Sequence, residues 1–283
     1  MVLESLINPF KAEKSPWKLF FLGMVYSSIG MFLGLWIFKQ YASMLLVFFT
    51  VMASIPLVFS ILKIEEQKDC EINNEKTLLK EHSKAIFSFL FLFLGITLAL
   101  AFWYVILPTN LTGTIFSSQM QTIAGINNQV SAKSVDFLGT YYKILLNNIK
   151  VLLFAILFSL IYGFGAIFIL VWNASVIGTA IGNFIRSGIA NYSHLMGLDK
   201  ISNYFQITSL GILRYSLHGI PEITSYFIGA MAGGILSIAI VNHDWKTKKF
   251  ENIIFDTSEL IVLALALLLV AAFIEVFVTP MFF

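Results

Sequence analysis

Arg214, His218 and Glu222 stand four residues apart in an otherwise apolar stretch, with Pro221 just ahead of the glutamate. A histidine and a carboxylate can trade a proton as acid and base, and an arginine can hold an anionic head group. An enzyme needs a third element within hydrogen-bond reach of such a pair. The sequence offers none, so no catalytic residue is assigned. His218 and Glu222 supply only two metal ligands, His194 is the one further candidate, and no H-E-x-x-H pattern occurs; no metal and no cofactor is expected.

The same residues have a structural reading. A proline disfavours helix at the residue before it and suits the first turn of a new one. The chain is therefore expected to break around His218-Gly219-Ile220 and to restart with Glu222 in the first turn, where the helix dipole favours a carboxylate. The break would fold Arg214 back towards Glu222, pairing two charges that are costly at depth. A clasp and a functional site are both compatible with that pairing. Asn147, Asn148 and Lys150 open another apolar run at the same outer level, Glu275 lies near the end of the last one, and Asn173 sits deeper. Together they permit a polar pocket open to the outside.

The elements that must position these residues follow from composition: 58% of the chain is hydrophobic and only 12% is charged. A bilayer core of roughly 30 Å needs about 20 apolar residues as helix. Seven runs meet this length: Trp17 to Phe38, Tyr41 to Leu62, Ala85 to Leu107, Ile144 to Gly163, Ala166 to Ile185, Pro221 to Val241, and Ser258 to Thr279. They are too long for strands and lack the alternation of an outer-membrane barrel. The fold class expected is all-α, a polytopic transmembrane bundle of seven spans. Asn203 to Tyr215 is apolar but too short to cross, so segment 203–220 is read as a re-entrant half-helix.

Around the spans, residues 1–16 are read as an interfacial amphipathic segment and 17–107 as three spans. Their charged inner loop, 63–84, is read as a soluble linker, with a helical extension of the second span as the alternative. Residues 108–143 form an external segment whose apolar positions recur at helical spacing, which predicts one or two amphipathic helices on the outer face or against the bundle. Residues 144–241 form the membrane core, and 242–283 an inner loop and the last span. With the N-terminus inside, inner segments hold most of the lysines, so positive-inside predicts N-inside and C-outside in a cell membrane. Cys70 is the only cysteine, which excludes an intrachain disulfide. A net charge of +2 with no basic stripe argues against a nucleic-acid partner.

Small residues repeat every four positions along two spans: Ser225, Gly229, Gly233 and Ser237 in the sixth, and Ala174, Gly178 and Gly182 in the fifth. Gly23-x-x-x-Ser27 and Gly30-x-x-x-Gly34 do so in the first. Such faces let helix backbones approach closely. Packing within one chain is the plainer use, and a homo-oligomer interface the other.

Asn147-Asn148 opening a span, the turn Tyr162-Gly163-Phe164-Gly165, Asn173 with Gly178 and Gly182, and His218-Gly219-x-x-Glu222 with Gly229 and Gly233 resemble the stage II sporulation protein M family over about residues 143–241. One departure is Asn173-Ala174, where that family commonly has Asn-Gly. In endospore formers the resemblance implies a multispanning scaffold that holds cell-wall-degrading partners at the engulfing membrane. The function expected is a non-catalytic membrane organiser, in contact with the lipid bilayer and with protein partners or further copies of itself. A transporter or channel with a polar site near Arg214, His218 and Glu222 is the alternative, and an intramembrane enzyme the third reading.

Overall fold

The computed structural model describes residues 15–72, 74–131, 137–163, 165–191, 197–242 and 247–282. Among them the chain is all-helical, with seven helices long and apolar enough to cross a membrane. These are α1 (Pro16–Ile37), α2 (Ala42–Glu71), α3 (Glu75–Ile106), α6 (Phe137–Tyr162), α7 (Ala166–Asn191), α8 (Gly197–Asn242) and α9 (Lys248–Phe273). Two short helices, α4 (Thr109–Ile115) and α5 (Ser117–Ser131), lie between α3 and α6, and α9 runs on into a π turn, Ile274–Val278. The chain is a multi-pass membrane protein. The segment ahead of Ser15, expected as an interfacial helix, lies outside the described residues, as does His194.

Close backbone approach builds the bundle. A Cβ added to Gly23 would stand 2.3 Å from the Leu92 carbonyl, and one added to Gly95 only 2.0 Å from the Phe20 carbonyl. Thus α1 lies directly on α3, and Trp103 ties them by donating from Nε1 to Ser28 Oγ at 2.9 Å. Gly178 and Gly182 bring α7 onto Thr97, Ala101 and Tyr104 of α3. Gly229 and Gly233 bring α8 onto Leu152 and Ile156 of α6, and Ser225 Oγ donates to the Ala264 carbonyl of α9 at 2.7 Å. These small-residue faces meet neighbours in their own chain.

Two regions depart from the sequence expectation. First, α8 is one unbroken 46-residue helix with Pro221 in its interior, not a half-helix, a break and a span. Pro221 withholds one N–H from the ladder. However, α6, α7 and α9 all pack on α8, and an opened helix inside a bilayer would leave several backbone groups unsatisfied instead of one. Asn203 to Tyr215 is too short to cross alone because it is the first part of a helix that crosses once.

Second, segment 63–84 is helical on both sides of Ile72. The ends of α2 and α3 extend beyond their apolar runs as a charged pair of helices, so the linker reading gives way to the helical one. His82 lies between them, its Nδ1 2.7 Å from Glu65 Oε2 and its Nε2 3.0 Å from Asp69 Oδ1. Lys68 adds a 2.6 Å contact to Glu65.

Helix α5 takes one of its two expected positions, against the bundle. Gln119 is fully buried and donates to the Ser43 carbonyl at 3.2 Å and to Ser175 Oγ at 3.1 Å, which locks α5 between α2 and α7. Arg186 completes the seal. Its guanidinium donates to the Tyr104 carbonyl and to the hydroxyls of Thr112 and Thr109 at 3.1–3.2 Å.

The packing register shows how far along the bundle each part of α8 lies. Leu62, the last residue of the second apolar run, meets Gly234. Phe89 of α3 stacks on Phe227 at 5.7 Å, while Thr97, midway along the third run, shares a groove with Ser216 and Gly219. The crossing stretch therefore ends near Gly234 and begins about 20 residues earlier. Against α6 and the last helix, Glu222 lies level with Ile144 and Asn148, which open the fourth run, and with Glu275 near the end of the seventh.

Candidate functional site

A cavity of about 260 Å³ opens between α6, α7, α8 and the π turn, and it gathers most of the polar residues of the membrane domain. Asn147 and Asn148 of α6, Asn173 of α7, His218 and Glu222 of α8, and Glu275 all line it. Lys143, Tyr215 and Tyr226 join them.

Each of these side chains is delivered by a local device. On a continuous helix, residues four apart share a face, so His218, Glu222 and Tyr226 stand one turn above another. Tyr226 Oη donates to Glu222 Oε1 at 2.9 Å. Glu275 arrives from the π turn, where Thr279 Oγ1 reaches back to the Ile274 carbonyl at 3.1 Å. A π turn inserts an extra residue and rotates the rest of the helix about its axis, a device common at functional sites. It also sets Thr279 Oγ1 3.4 Å from His218 Nδ1. Asn173, which lines the cavity, donates Nδ2 to the Ile169 carbonyl at 2.8 Å. Asn148 is buried and acts on Glu222, although its Nδ2 has no partner at hydrogen-bonding geometry.

Arg214 is not part of this arrangement. Eight residues of straight helix separate it from Glu222 by roughly 12 Å. The expected clasp does not form: Arg214 is exposed, and its guanidinium lies 5.7 Å from the centre of the Phe184 ring. With the helix unbroken, no hairpin exists to fold the arginine back. Among the described residues neither Glu222 nor Glu275 has an ion-pair partner within 4.0 Å, and no group of three or more His, Cys, Asp or Glu side chains could hold a metal.

Tyr226 and Tyr215 line the cavity and Thr279 touches His218, yet sequence reasoning singles out none of the three. Tyr226 is within reach of that reasoning, four residues beyond Glu222 on the same face. Thr279 is not, because its place depends on the π turn.

The family model of stage II sporulation protein M matches residues 85–280. The match is wider than the resemblance over 143–241, since it takes in the third apolar run and the last helix, both of which lie beyond that resemblance. Every residue lining the cavity lies within the matched stretch. No curated protein and no solved structure matches the chain.

Proposed function

The chain belongs to the stage II sporulation protein M family, and on that premise we propose that it is a membrane protein that binds a small solute in a cavity within its helix bundle. The observation that carries this reading is the cavity itself. Two glutamates, a histidine and three asparagines converge on about 260 Å³ of open space inside a membrane domain. Ionisable groups at such depth are expensive, and they commonly mark substrate or ion pathways. A transporter or channel is the function class that uses this geometry.

A membrane organiser is the second reading, and it follows from what the family resemblance implies. Two features that favour it in the sequence, the external amphipathic helix and the small-residue faces, are engaged within the chain itself. One observation still supports it. Ahead of Ile207, which packs at Gly188, the first turns of α8 expose Ile201 and Phe205 beyond the crossing stretch, where another protein could cover them.

The test is cysteine accessibility in a Cys70→Ser background, in sealed vesicles. Asn147→Cys, at the cavity mouth, is expected to react with a membrane-impermeant maleimide, whereas Leu153→Cys, exposed on the apolar outside of α6, stays unlabelled. If both stay silent, no watery cavity exists and the solute-binding reading falls. The same vesicles test orientation. Positive-inside predicts that Ser202→Cys labels from outside the cell and Asn242→Cys only after the membrane is opened.

A further inference from the structure

We propose that the ligand of this cavity is a small organic ammonium ion carrying a hydroxyl group, with its charge held between Glu222 and Glu275. The inference rests on the cavity being a solute site and goes on to name the solute's chemistry.

Charge is the first argument. Glu222 and Glu275 line one cavity and lie close enough to act on each other electrostatically. Two carboxylates drawn into a membrane interior either take up protons or find a counter-charge, and no cation of the chain pairs with either among the described residues. Lys143 lies exposed at the rim, Arg214 is turned to Phe184, and His218 faces Thr279 through Nδ1. Tyr226 donates to one oxygen of Glu222, and Asn148 acts on the same carboxylate.

The second argument comes from Asn148, which also acts on Glu222. Asn148 is only 5% exposed and lines the cavity, yet its Nδ2 has no hydrogen-bond partner. A buried donor left unmade costs about 1–3 kcal/mol, so the site fits a ligand that brings an acceptor oxygen as well as a positive charge. Asn173 Oδ1, with its own Nδ2 already engaged, can take an N–H from the same ligand.

Size and lining decide between an organic cation and a metal ion. A volume of about 260 Å³ approaches the roughly 300 Å³ at which small-molecule pockets begin. No metal-holding group exists among the described residues. Ile144, Val151 and Ile177 give the cavity an apolar wall for methylene groups.

The test uses ethanolammonium as the probe, with sodium, ethylene glycol and inorganic phosphate beside it. Two readouts on purified full-length protein are thermal unfolding and protection of Asn147→Cys from maleimide. Ethanolammonium is expected to stabilise the wild type saturably and to slow labelling, while the other three do neither. Its apparent Kd should rise at least tenfold in Glu275→Gln and in Glu222→Gln and stay unchanged in Glu259→Gln, whose carboxylate is outside the cavity. Asn173→Leu keeps both acids and should also bind at least tenfold more weakly, which guards against an acid variant that fails to fold. Equal action by sodium, or unchanged binding in the acid variants, overturns the proposal. If ethylene glycol or phosphate protects the cysteine and ethanolammonium does not, the ammonium assignment falls and the solute cavity stands. If the cysteine labels but no probe protects it, the ammonium assignment also falls. If it never labels, the cavity reading falls with it.

Discussion

His82→Ala is expected to lower stability by about 3–5 kcal/mol, the cost of removing one partner from a buried ionic group and leaving the others uncompensated. Glu65 and His82 are almost wholly buried, and both imidazole nitrogens face carboxylate oxygens at 2.7 and 3.0 Å. Both can donate only when the ring is protonated. The site lies in the charged helical extensions beyond the apolar runs. Burial by itself would lower the His82 value, but the hydrogen bonds to Asp69 and Glu65 outweigh it and raise the ring from 6.5 to about 9. The folded chain then holds a proton that the unfolded chain releases, so this contribution is complete below about pH 6.5 and is lost as the pH rises through about 9. The interval corresponds to about 3 kcal/mol, present in full below both values and gone above them. Burial also pushes Asp69 up, so its charging takes back part of that gain at neutral pH. Unfolding in detergent followed from pH 6 to 10 should show wild-type stability falling while His82→Ala stays flat. Adding Glu65→Gln and Asp69→Asn to His82→Gln should recover much of the loss, because the three groups that face one another are then all neutral. A variant that unfolds at the wild-type midpoint at pH 7 would refute the ionic account.

Gly95→Leu should be worse still. The first added carbon would lie 2.0 Å from the Phe20 carbonyl and 2.8 Å from the Phe20 carbonyl carbon. Both atoms are backbone, so no rotamer change relieves the contact, and α1 must move off α3. Overpacking a well-filled interior costs about 1–3 kcal/mol, and a backbone clash belongs above that range. Loss of the α1–α3 contact should appear as protease cleavage near the start of α1 and as lower yield of folded protein. Gly113→Leu is the control. It lies in a helix as well, but a Cβ there meets nothing within 4 Å, so its stability should change little. Equal behaviour of the two variants would show that α1 is not seated as described.

The seven spans are legible because a bilayer imposes one length and one composition on every crossing helix. The polar cluster is legible for a related reason: Asn148, Asn173, His218, Glu222 and Glu275 are conspicuous where lipid or packed apolar side chains are the norm. Two misreadings have one source. Pro221 reads as a helix break by rules learned in water, where an opened backbone finds partners at little cost. Inside α8 the alternative to a helix is worse than one missing hydrogen bond, so the helix continues. With the break goes the Arg214 clasp. The 63–84 segment misleads in the other direction: its mixed charges suggest a solvated linker, but buried partners such as His82 with Glu65 and Asp69 pair across two helices and make a packed extension.

By itself, then, the sequence determined that this is a helical membrane bundle of the stage II sporulation protein M family with polar residues at depth. Each of those properties is local or periodic: apolar runs, four-residue glycine spacing, and a short motif. Only the tertiary structure decided which polar residues meet. Asn148 and Glu222 are 74 positions apart, and Glu275 is a further 53 beyond, so their encounter depends on helix register and on one π turn. Register is set by the sum of many small contacts between whole helix faces, from Gly23 on Leu92 to Gly233 on Ile156. No single residue type announces that sum.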